Sequence, residues 1–99
     1  MDCSRAYGNN GCNGGFYRQA YFYVIANKGI ISEANYPYIT RVGTCNKTKT
    51  SQFAASITNQ ANVAGDNPTA LQNAIAQQPT SVSVEADHPI WQHYTSGTI

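Results

Sequence analysis

The sequence predicts an α+β chain, and three observations carry that prediction. Phe16 to Lys28 places apolar residues at helical spacing and is followed by a glycine. Asn67 to Gln78 does so again, between an N-capping asparagine and a proline that stops the helix. Ser81 to Ala86 alternates polar and apolar residues, as a half-buried strand does.

Taken in order, Ser4 to Asn13 is a loop rich in turn formers. It runs into Gly11-Cys12-Asn13-Gly14-Gly15. Two adjacent glycines adopt backbone angles closed to other residues, and without a Cβ they let a second backbone come close. The segment reads as a tight turn ahead of a helix. The alternative to that plainer reading is half of a peptide-binding cleft, whose main-chain N–H and C=O groups pair with an extended peptide. In the helix that follows, Phe16, Ala20, Tyr23, Val24 and Asn27 fall at helical spacing, and Tyr17, Tyr21 and Ile25 widen the apolar face. Ala20, Tyr23 and Val24 are the core candidates. Lys28 sits in the last turn, and Gly29 stands where a left-handed cap belongs.

Gly29-Ile30-Ile31 reads as extended and Ser32-Glu33-Ala34 as a turn. In Asn35-Tyr36-Pro37-Tyr38 the proline holds Tyr36 out of helical angles, and the two tyrosines are expected to pack against the preceding helix. Arg41 to Ser51 is a polar, solvated loop containing Asn46-Lys47-Thr48, a glycosylation sequon if the chain is exported. Asn67-Pro68-Thr69 is excluded as a second sequon by its proline. Phe53 to Ile57 is an expected strand and Gln60 to Asp66 a polar connection. The second helix has Asn67 as N-cap, Pro68 at its first position, and Leu71, Ala74, Ile75 and Gln78 along one face until Pro79. Beyond it Val82 and Val84 face one way and Ser81, Ser83 and Glu85 the other; Pro89 then opens a short turn with Trp91 and Tyr94.

Composition narrows the function classes. Ninety-nine residues, 41% of them apolar, suit one small globular domain. A formal net charge of +1, with 11% charged residues and no basic cluster, gives no electrostatic basis for a nucleic-acid partner. No apolar run is long enough to cross a bilayer, and Met1-Asp2-Cys3 lacks the charged and apolar regions of a signal peptide. No Cys-x-x-Cys or His-x-x-x-His pair offers zinc-like spacing, so neither a metal nor another cofactor is expected. Three cysteines leave at least one unpaired within the chain.

Asp2-Cys3-Ser4, Gly11 to Gly15, Asn35-Tyr36-Pro37-Tyr38, Cys45, Gln78-Pro79 and Ser81 to Ala86 occur in an order and at a spacing that resemble the papain-like cysteine proteases of the papain and cathepsin L type. The resemblance implies an internal portion of a peptidase domain, truncated at both ends. Residues 1–50 would be the end of its helical half and 51–99 the start of its β-barrel-like half. The family's nucleophilic cysteine would precede Cys3, and its histidine and asparagine would follow Ile99. No catalytic residue is therefore expected within the chain, and the chain alone is expected to be inactive. By the same resemblance Gly14 and Gly15 bind the substrate backbone, Phe16 and Tyr17 line the pocket for the second residue before the scissile bond and its neighbour, and Ser83 walls that pocket. Cys3 would pair with Cys45, and Cys12 would lack its partner. The implied partners are an extended peptide or protein substrate and the remaining segments of the same domain, in a secreted, lysosomal or vacuolar parent.

His88 and His93 could serve as bases for a thiolate, but the resemblance places neither at the catalytic histidine, and Asp87 points away from His88 if they share a strand. Solvated surface histidines are the plainer expectation. Cys12 as nucleophile conflicts with the disulfide role that the resemblance gives it. A noncatalytic papain-like binding protein, or a secreted disulfide-stabilised recognition module, would present the same substrate-side residues.

Overall fold

The helical pattern after the double glycine becomes helix α1, Tyr17–Ala26, in a computed structural model that describes residues 1–99 as two units, Met1–Asn62 and Val63–Ile99. Phe16 is the N-cap, with extended angles and no side-chain cap of its own. The other end closes as a Schellman motif: the Gly29 N–H donates to the Val24 carbonyl at 3.1 Å and the Lys28 N–H to the Ile25 carbonyl at 3.1 Å. The left-handed residue of that motif is Lys28, φ 66°, and not the expected Gly29. Gly29 has a different task. A Cβ there would lie 2.5 Å from the Phe53 ring, so the glycine lets the chain that follows the helix pass under that side chain.

The Asn27 side chain ties the helix end to the loop expected to be solvated. Its Nδ2 donates to the Gly29 carbonyl at 3.0 Å and to the Thr50 carbonyl at 2.9 Å. Thr50 is buried within the 3-10 turn Lys49–Ser51. At the front of the unit, 3-10 turns at Arg5–Tyr7 and Gly11–Asn13 shape the loop, and the Tyr7 and Tyr23 rings meet edge to face at 5.8 Å. Val24 is the one buried apolar side chain. Ala20 and Tyr23, the other core candidates, are half-buried.

A covalent bond and a carboxylate close this unit's long loop. Cys3 and Cys45 form a disulfide across 42 residues, with their Cα atoms 4.9 Å apart. Beside it the Asp2 carboxylate accepts the Gly43 N–H at 3.0 Å and the Tyr36 hydroxyl at 2.9 Å. The Tyr36 oxygen also accepts the Asn46 N–H at 3.1 Å, and Lys49 lies over the Tyr36 ring at 5.6 Å. Tyr36 is thus anchored to the N-terminus and the Cys45 loop. The Gly43 N–H is the main reason the Asp2 carboxyl is held below its ordinary pKa; Tyr36 and the Met1 ammonium add to this against a desolvation that opposes it.

The expected strands do not develop into a ladder. Ile30 and Ala55 form an isolated antiparallel bridge, with Ile30 N–H to Ala55 carbonyl at 2.9 Å and Ala54 N–H to Ile30 carbonyl at 2.8 Å. Phe53 to Ile57 therefore contributes one paired residue. A strand is stabilised only by a partner that satisfies its backbone groups, and Val82 to Glu85 make no backbone hydrogen bond. The alternating segment is not a strand of a sheet.

In the second unit, helix α2 spans Pro68–Gln77. Its start is as expected: Asn67 Oδ1 accepts the Ala70 N–H at 3.0 Å and Pro68 occupies the first position. Leu71 and Ile75 are exposed, however, and no apolar residue of this unit is buried. Pro89–Gln92 forms a one-turn helix, α3, capped by His88, whose Nδ1 accepts the Ile90 N–H at 3.2 Å.

Candidate functional site

The exposed segment between the 3-10 turn and α1 has an unusual backbone for a local reason at each residue. Gly14 lies at φ 100°, ψ −176°, a conformation that is essentially reserved for glycine. A Cβ at Gly14 would meet nothing within 4 Å, so conformation and not crowding requires the glycine. The Gly14 carbonyl accepts the Asn10 N–H at 2.9 Å, which closes the turn around Cys12. At Gly15 the reason is crowding: a Cβ would overlap the Asn9 side chain.

Asn9 is the organiser that the sequence reading places only among loop residues. Its Nδ2 donates to the buried Ser4 Oγ at 3.0 Å, and its Oδ1 accepts the Phe16 N–H at 2.8 Å. That second bond occupies a donor at the mouth of α1 and fixes where Phe16 and Tyr17 project. No sequence signal marks a contact seven residues away; an asparagine shortly before a double glycine is the nearest hint.

Gly15 itself is exposed, and neither its N–H nor its C=O has a partner in the chain. The rings that follow stand out from the surface, Phe16 at 70% and Tyr17 at 50% exposure. One free backbone donor and one free acceptor, followed by apolar rings, can pair with the main chain of an extended peptide and receive one of its apolar side chains. Cys12 is exposed and unpaired in the preceding turn.

The other predicted residues belong to other segments of the chain. Ser83 is exposed in the alternating segment of the second unit. Asn46 is exposed beside the disulfide, its Oδ1 accepting the Lys49 N–H at 3.0 Å. His88 caps α3, and His93 is exposed at its end. A concavity lined by Asp2, Tyr23, Ile31, Tyr36, Tyr38 and Arg41 includes none of Gly14 to Tyr17. Burial raises the Tyr23 phenol there, partly offset by a hydrogen bond with the Thr50 side chain. No group of three or more His, Cys, Asp or Glu side chains is arranged to hold a metal, and no helix is long and apolar enough to cross a membrane.

Comparison with known proteins gives this segment its context. The profile of the papain family cysteine proteases matches residues 1–99. Cysteine proteinase 4 of Dictyostelium discoideum is 43% identical over 97 residues, which is 98% of this chain and 22% of that protein. Digestive cysteine proteinase 2 of Homarus americanus is 43% identical over 98 residues, 98% of this chain and 30% of the relative. A low-temperature-induced cysteine proteinase of Solanum lycopersicum is 41% identical over 97 residues, 98% of this chain and 28% of its own length. The chain thus spans less than a third of the relatives it resembles along nearly all of its own length, and by that match it belongs to the papain family of cysteine proteases.

Proposed function

We propose that this chain is the substrate-binding middle of a papain-family cysteine endopeptidase, which cleaves peptide bonds through an acyl-thioester in the complete protein. The observation that carries this reading is the exposed, unpaired backbone of Gly15 beside the exposed rings of Phe16 and Tyr17. Gly15 pairs with the substrate main chain, Gly14 supplies the turn that presents it, and the two rings receive an apolar or aromatic side chain. Ser83 is assigned to the pocket wall on the family resemblance alone. The nucleophile, base and orienting asparagine belong to parts of the parent outside these residues, and Cys12 is a disulfide partner for one of those parts. An oxidising compartment, secretory or lysosomal, fits the Cys3–Cys45 disulfide.

Two measurements test this. In the complete parent, Phe16→Ala removes a ring that substrate would cover, a loss of about 1.5–3 kcal/mol. It should lower kcat/KM roughly 10- to 100-fold for substrates with an apolar second residue, and much less for those with a small one; an unchanged preference rejects the pocket assignment. The purified 99-residue chain should hydrolyse no peptide. Turnover by it would place catalytic groups inside the chain.

A further inference from the structure

We propose that Asn46 is an N-glycosylation site, taking an oligosaccharide from a lipid-diphosphate donor, and that the glycan stands at the end of α1 away from the substrate segment. This rests on the secretory reading above, because the transfer occurs only in the secretory pathway.

Three observations at one place support it. Asn46-Lys47-Thr48 satisfies the acceptor pattern, with a residue other than proline in the middle. Asn46, Lys47 and Thr48 are all exposed. Asn46 uses its main-chain N–H for Tyr36 and its Oδ1 for Lys49, which leaves Nδ2, the atom that would be modified, without a partner in the chain. The Thr48 hydroxyl is likewise unengaged; only its carbonyl is used, by Ser51. The Cys3–Cys45 disulfide, one residue before the acceptor, belongs to the same oxidising compartment that carries out the transfer. In contrast, Asn67-Pro68-Thr69 has the blocking proline, and its asparagine caps α2.

In the transfer, Asn46 Nδ2 forms a bond to the anomeric carbon of the donor sugar. The bond from that carbon to the diphosphate oxygen breaks, the lipid diphosphate leaves with the electron pair, and Nδ2 releases one proton. The glycan's position follows from Asn27, whose side chain joins the C-terminal end of α1 to Thr50, the residue whose N–H donates to the Asn46 carbonyl at 3.0 Å. Gly15, Phe16 and Tyr17 lie at the N-terminal end, about 15 Å away at 1.5 Å per residue. A sugar on Asn46 shields the disulfide loop and leaves the peptide-binding segment open.

The test directs the full chain into the secretory pathway of a eukaryotic cell behind a cleavable leader, and maps peptides recovered from cells and medium together. Asn46 should carry a glycan that peptide:N-glycosidase removes with conversion of Asn46 to Asp, and Asn67 should carry none. Asn46→Gln and Thr48→Ala should each abolish the modification, the second without altering the acceptor side chain, while Thr48→Ser retains it. Recovery of chain with the Cys3–Cys45 disulfide formed and Asn46 unmodified overturns the proposal. So does a glycan that survives both Asn46→Gln and Thr48→Ala. Hydrolysis by the complete parent reports on the peptidase reading separately, so either can fail alone.

Discussion

Breaking the disulfide should remove most of the order in the first unit. The bond closes a loop of 42 residues, and in the chain-entropy treatment a loop of that length stabilises the folded state by about 4 kcal/mol. Non-covalent links span the same closure: Asp2 reaches Gly43 and Tyr36, 41 and 34 residues away. A hydrogen bond to a charged group contributes about 1.5–3 kcal/mol when well buried and less at an accessible carboxylate, so this pair cannot replace the covalent closure in full. Nor can the core, which has a single buried apolar side chain, Val24; domains of this size rarely hold more than about 3–5 kcal/mol from their cores. The comparison is Cys12→Ser against the same chain carrying Cys3→Ser and Cys45→Ser, so that disulfide exchange cannot intervene. The second protein should lose the near-ultraviolet signal of the Tyr7–Tyr23 pair and the amide protection of α1. A shift in urea midpoint worth less than about 1 kcal/mol would show that the Asp2 network already closes the loop, and the entropic argument would be wrong for this chain.

Two further substitutions test separate parts of the fold. Gly29→Ala drives a methyl to 2.5 Å from the Phe53 ring and should cost about 1–3 kcal/mol by overpacking, whereas Lys28→Gly relieves the left-handed φ of 66° and should leave urea stability equal or up to about 1 kcal/mol higher; the opposite ranking would refute the cap assignment. Asp2 has a folded-state pKa lowered chiefly by the Gly43 N–H, so its contribution is fully present above the unfolded carboxyl value and disappears as pH falls through the lowered one. Asp2→Asn should flatten that acid limb in urea midpoints measured from neutral pH to about pH 2, and an unchanged limb would assign it to other groups.

What the sequence made legible was local. Asn67, Pro68 and Pro79 bracket a helix through capping and steric rules that act within a few residues, and α2 occupies that bracket. The place of α1, though not its last turn, and the turn at Ser32 were readable for the same reason. Long-range pairing was not. The alternation at Ser81 to Ala86 records which side chains could share a face, but an extended segment becomes a strand only when another backbone satisfies it, and nothing in its own sequence specifies that backbone. Lys28 against Gly29 is a finer case. Sequence statistics favour glycine for the left-handed position, yet the structure strains Lys28 and reserves the glycine for the passage beneath Phe53.

The same distinction bears on how much the double glycine says about function. Gly15 has a sufficient structural cause in Asn9, and Gly14 in its backbone angles, so the presence of two glycines is explained before any substrate is invoked. What remains unexplained by folding is the residue's unused hydrogen-bonding capacity and the 70% exposure of the ring beside it. Asn9 already takes the Phe16 N–H, so the turn could have satisfied itself at that position and left nothing for a peptide. Instead Gly15, the residue just before it, is exposed and has no partner for either backbone group. A turn serving only to start α1 has no requirement for that exposure; a surface that binds peptide main chain does. On the proposed function the two glycines differ in cause, Gly14 shaping the turn and Gly15 presenting its backbone.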